Sequence, residues 1–121
     1  MHVLVEVEGR RREEELRSLQ EWLRREPAVS RSASTSLLEG PTQPGYMGSL
    51  VDALELVTGN GWSAASFALS LAAWRQTRPR APKVTIRRGD VEVTLVDGTE
   101  EEVRLLVTLL EQPDDTSQQA P

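Results

Sequence analysis

The residues able to do chemistry in this chain are few, and their spacing does not favour it. The single histidine is His2. A histidine working as acid or base needs a nucleophile beside it in a cleft, and two-histidine metal motifs are impossible here. There is no cysteine, which removes thiolate nucleophiles, cysteine-bound metals and disulfides. Carboxylates cluster as Glu13-Glu14-Glu15 and Glu100-Glu101-Glu102. Paired acids can serve hydrolysis or a divalent cation, yet both runs fall where a helix begins, and there the helix dipole and capping account for them. Gly59-Asn60-Gly61 precedes a helix and invites comparison with phosphate-cradling loops. It lacks the lysine and third glycine such loops use, and it reads as a turn between two helices. No catalytic residue, metal ligand or cofactor site emerges.

Charge and aromatic placement suggest contact instead. From Arg75 to Arg88 six basic residues occur without an acid (Arg75, Arg78, Arg80, Lys83, Arg87, Arg88). This run could follow a phosphate backbone, which makes a nucleic-acid or anion-binding domain the alternative function. A net charge of −5 argues against general nucleic-acid binding. The basic residues equally suit a helix end and a solvated edge strand. Trp22, Trp62 and Trp74 are three of five aromatics. Phe67 and Trp74 share a helix face and read as core. Tyr46 and Trp62, at loop–helix junctions, suit core and contact surface equally well; with Met47 they are the candidate partner-binding residues.

The positioning elements follow from periodicity. Val3, Val5 and Val7 alternate with His2, Leu4, Glu6 and Glu8, giving a half-buried strand over His2–Glu8. Leu16, Leu19 and Leu23 form the core stripe of a helix ended by Pro27, with Trp22 at its edge. Val29–Glu39 reads as an edge strand. Residues 50–58 read as a helix capped by Ser49 and closed by Gly59. Ser63 caps a second helix over Ala64–Thr77, apolar almost all round and so buried on most sides. Lys83–Arg88 and Val91–Val96 form a hairpin through Gly89-Asp90. Thr99 with Glu102 makes a capping box for a last helix carrying Val103, Leu106, Val107 and Leu110.

The order β-α-β-α(α)-β-β-α, with one apolar face per strand, predicts an α+β two-layer sandwich: one four-stranded sheet with helices packed on one face. The other sheet face, being polar, could take a strand or a second copy, so a homo-oligomer is allowed. Length and composition (121 residues, 38% hydrophobic, 27% charged) fit a single domain over 1–111 with a disordered polar tail over 112–121. The first residues carry no basic segment and no signal peptide reads from them, which implies the cytosol and no membrane.

Four segments in order carry a resemblance. They are LQEWLRREP (Leu19 to Pro27), PGYMGSLVDAL (Pro44 to Leu54), SLAAWRQTRPR (Ser70 to Arg80) and VTLVDGTEEEVRLLVTLLE (Val93 to Glu111). Over about residues 1 to 111 the chain resembles the effector-associated constant component family, first type, of actinobacterial biological-conflict systems. The resemblance implies a small non-enzymatic adaptor or regulator. Its partners would be protein effectors such as caspase-like or trypsin-like peptidases or NTP-dependent regulators, which it holds in check or couples to a sensor. It implies no catalytic residue. Met47, Gly48 and Asp52 recur in the family; here Gly48 would free the backbone before the helix cap, and Asp52 would return a hydrogen bond to the helix start.

Overall fold

The structure, a computed structural model, describes residues 1–9, 11–39, 51–59 and 62–111. The elements are β1 (His2–Val7), α1 (Arg12–Arg24), α2 (Pro27–Ser30), β2 (Ala33–Glu39), β3 (Val51–Thr58), α3 (Ala64–Gln76), β4 (Val84–Arg88), β5 (Val91–Leu95) and α4 (Glu100–Glu111). The strands form one antiparallel five-stranded sheet in the order β2-β3-β1-β4-β5. The register aligns Val3 with Leu56, Val5 with Leu54 and Ile86, and Val7 with Val84. All of these side chains are buried, together with Leu16, Leu19 and Leu23 of α1, Phe67, Leu71 and Trp74 of α3, and Leu106 and Leu110 of α4. The opposite face shows His2, Glu6, Glu55, Thr85, Arg87, Glu92 and Thr94, with Leu4, Ala53 and Val57 among them, so the expected two-layer α+β sandwich stands.

One element differs from expectation and adds a fifth strand. Residues 51–58 form a central strand rather than a helix. The segment VDALELVT holds leucine, alanine and acids that favour a helix locally. It also alternates Asp52, Leu54, Leu56 and Thr58 against Val51, Ala53, Glu55 and Val57. Pairing on both sides, with β1 and with β2, overrides the local preference. Gly59 accordingly does not close a helix: its N–H donates to Ser32 O at 2.7 Å, and its φ is not positive. Asp52 returns no bond to a helix start; its carboxylate takes a hydrogen bond from Arg12 Nη1 at 2.9 Å. Pro27 does not merely stop α1 but opens the short α2, so the edge strand begins at Ala33 rather than Val29. The Ser49 cap and the 112–121 tail lie outside the described residues.

The helical layer is fastened by polar bonds that cross it. Trp22 Nε1 of α1 donates to Ser70 Oγ of α3 at 2.9 Å, and Trp74 Nε1 of α3 donates to Ser18 Oγ of α1 at 3.1 Å. Each indole thus meets a small hydroxyl on the facing helix, where a closer packed side chain would leave the N–H unpaired. Arg78 completes the junction. It donates through Nε and Nη2 to the Glu15 carboxylate at 2.7 and 2.8 Å, and lies over the Trp74 ring at 5.8 Å. The Glu15 bond raises its pKa against the opposing effect of burial, so the guanidinium stays charged at any working pH.

A second junction joins α3 to the start of α4. Arg75 is only 5% exposed. It donates to the carbonyls of Pro82, at 2.8 Å, and of Val96. Gly98 has φ +71°, and a Cβ there would come within 2.7 Å of Arg75 Nη1. The expected capping box forms just beyond. Glu102 N donates to Thr99 Oγ1 at 3.2 Å, while the Glu102 carboxylate accepts from the N–H groups of Val96, Asp97, Gly98 and Thr99. Burial opposes its ionisation, but these backbone donors outweigh burial and the pKa is lowered.

Two stability predictions follow. Gly98→Ala places a Cβ in the left-handed region and against Arg75, and should cost at least about 1–2 kcal/mol in urea unfolding. Glu102 has a depressed pKa in the folded state, so its contribution is complete above the ordinary carboxylate range and is lost as pH falls through the folded value. Unfolding midpoints measured from neutral to acid pH should therefore fall less steeply in Glu102→Gln than in the parent chain.

Candidate functional site

The groups singled out for chemistry do not converge. His2 is exposed at the start of β1, with Nδ1 3.5 Å from Glu55 Oε2 and, among the described residues, no nucleophile paired with it. Glu13 faces Arg17 and Glu100 faces Arg104 one helical turn on, Glu15 is held by Arg78, and Glu102 is the cap. Among the described residues no group of three or more histidine or acid side chains could hold a metal ion.

Gly59-Asn60-Gly61 follows a strand rather than the helix expected from sequence, since β3 ends at Thr58 and α3 begins at Ala64. Residues 60 and 61 lie outside the described residues. Ser63 caps α3 as expected, accepting from Ser66 N at 3.2 Å. With that cap in place and no lysine in the segment, the strand–helix order alone does not make a phosphate site.

A depression of about 550 Å³ opens on the helix-free face of the sheet, lined by Glu6, Val7, Glu8, Gly9, Arg12, Thr85, Arg87 and Glu92. Its polarity comes from the strand face that the helices leave uncovered. The guanidinium of Arg87 lies 3.4 Å from Glu6 and 3.0 Å from Glu92, and Arg12 is bound to Asp52. Thr85 and Thr94 share a hydroxyl hydrogen bond at 3.0 Å. Among the described residues Glu6 Oε1 is buried and, despite the nearby Arg87, makes no hydrogen bond of its own. Opposite charges thus lie side by side on this face, Arg87 between Glu6 and Glu92.

The basic run is likewise used within the molecule. Arg75 is buried on carbonyls, Arg78 grips Glu15, Arg87 pairs across β4, and Arg88 donates to Leu109 O at 3.1 Å. Arg80 and Lys83 are exposed. A phosphate stripe would need these cations turned outward together. The inward role of Arg75 was missed from sequence; its position one residue after the core Trp74, on the way to a Pro-rich connector, was the available signal.

Of the three candidate partner-binding residues, Tyr46 and Met47 lie outside the described residues. Trp62 is half-buried just before α3, its ring 5.4 Å from Phe67 and tilted 42° to it. Among the described residues its indole Nε1 is buried without a hydrogen-bond partner. Buried indole N–H groups ordinarily find an acceptor. Trp22 and Trp74 do so, and Trp62 does not.

No helix of the described residues is long and apolar enough to cross a membrane. No curated protein and no solved structure matches the chain. The family model Effector Associated Constant Component 1 matches residues 8–111, from the end of β1 to the end of α4. That span covers α1, the strand β3, the α3–α4 junction and the capping box, and the chain belongs to this family of effector-associated components.

Proposed function

We propose that this chain is a non-enzymatic adaptor or regulator of a bacterial conflict system. In this role it binds an associated effector in the cytosol, a caspase-like or trypsin-like peptidase or an NTP-dependent regulator, and controls that effector or couples it to a sensor. The observation that carries the proposal is the pairing of charge on the open sheet face. Arg87 lies between Glu6 and Glu92, and Arg12 is held by Asp52, in a family defined by association with effectors. A surface of this kind suits recognition better than bond making. Trp62, with Tyr46 and Met47, is the proposed anchor for the partner, because a half-exposed aromatic ring braced against Phe67 is the kind of side chain interface hot spots use.

Co-expression with the product of an adjacent gene tests this reading. The two chains should co-elute as a stable complex, and Trp62→Phe should weaken the complex by about tenfold, or about 1.4 kcal/mol, while the unfolding midpoint stays near that of the parent. Failure to bind any protein encoded alongside it would contradict the proposal. An unchanged affinity in Trp62→Phe would remove Trp62 from the interface.

A further inference from the structure

The two edges of the sheet are treated differently. At the β2 edge, Gln20 Nε2 of α1 donates to the Thr35 carbonyl at 3.4 Å and to Thr35 Oγ1 at 3.3 Å, and the pairing with β3 shifts register between Leu38 and Glu39. A side chain laid on a free carbonyl and a bulge are both ways of closing an edge to further strands. The β5 edge has neither. Its register with β4 runs unbroken from Arg88–Val91 to Val84–Leu95, and it contains no lysine or proline.

The direction of its free backbone groups can be worked out. Gly89, at φ +60°, opens a two-residue turn, and Asp90 has no positive φ, as a type II′ turn requires. Such a turn is closed by a hydrogen-bonded pair, here Arg88 with Val91. Strict alternation makes Ile86–Val93 and Val84–Leu95 hydrogen-bonded pairs as well. The other side of β4 agrees: Lys83 O accepts from Glu8 N at 3.1 Å, so odd-numbered residues of β4 bond to β1 and even-numbered ones to β5. The N–H and C=O groups of Glu92 and Thr94 therefore point away from the sheet, and no hydrogen bond to them occurs among the described residues.

We propose that this edge pairs with β5 of a second copy of the chain, antiparallel, about a two-fold axis through Val93. In that register Glu92 and Thr94 of one copy form the hydrogen-bonded pairs with Thr94 and Glu92 of the other. Val93 meets Val93, and Val91 meets Leu95 on the helix face. The pairing is self-complementary in charge: Glu92 stands opposite a threonine, not a second glutamate, and keeps its own Arg87 at 3.0 Å. A one-pair shift in either direction that keeps the hydrogen-bonding parity would set Glu92 against Glu92 or Thr94 against Thr94, so the axis through Val93 pairs the greatest length without opposing like charges. It covers Val91, which is 47% exposed although it lies in the inward row of β5. The sheet would become ten-stranded, from two copies of five. Strand pairing alone buries less than the roughly 1,200 Å² of a stable interface. The helix packed on β5 is α4, which carries Leu105, 56% exposed, as further apolar surface.

The test is sedimentation of the full chain over a dilution series, with amide hydrogen exchange read at each concentration. The expected result is a concentration-dependent dimer in which the Glu92 and Thr94 amides become protected as the dimer forms. Glu92→Pro removes one outward N–H that the monomer does not use, and should give a folded monomer. Val91→Lys, which sets a charge against Leu95 of the second copy, should do the same without altering the backbone. A monomer at every concentration with unprotected Glu92 and Thr94 amides would overturn the proposal. So would a dimer that persists in Val91→Lys. Binding of an effector is read separately by co-elution, so failure of either proposal leaves the other standing.

Discussion

A sheet with one apolar face, built around a strand that comes first in the chain, is the constraint from which the rest of the structure follows. β1 is central, and both of its neighbours, β3 and β4, are made later. Val3, Val5 and Val7 are buried by strands and helices that all lie later in the sequence. Every helix then has one duty, which is to present an apolar stripe to that face. On the opposite face, over β1, β4 and β5, threonines and charges pair across neighbouring strands. Burying apolar surface on one side thus decides which side is left for partners.

The polar bonds within the helical layer make that arrangement specific. Apolar contact alone would let α1 slide along α3. The reciprocal Trp22–Ser70 and Trp74–Ser18 bonds fix their axial position, since a shift of one turn would leave both indoles unpaired. Arg78 and Arg75 extend the same logic to the connector and to the start of α4. The consequence for function is direct. The cations that looked available for nucleic acid are mostly occupied in holding the molecule together, as are the indoles of Trp22 and Trp74. Trp62 stands apart because its N–H has no such task.

The particular residues show why some of this was legible in the sequence. β1, the hairpin and the last helix each combine a clean period with a turn or cap signal: alternating valines, Gly89-Asp90, and Thr99 with Glu102. For residues 51–58 two periods compete, and leucine, alanine and acids tip the local choice toward a helix. Only β1 and β2 on either side reveal a strand, and such pairing is not local information. The same limit hid the charge cluster on the open face. Arg87 sits between Glu6 and Glu92 because β1, β4 and β5 are neighbours, and the distance in sequence between Glu6 and Arg87 gives no hint of it. The family resemblance was readable because it depends on the order of segments rather than on their geometry.

The proposed function requires that the molecule acts by being bound and not by turning over a substrate. Stoichiometry separates the two most directly. An effector reconstituted with increasing amounts of this chain should change its activity linearly until the two are equimolar, or at a fixed small-integer ratio, and then stop. A full effect from a small fraction of an equivalent, growing with time, would mean catalytic turnover and would contradict the account.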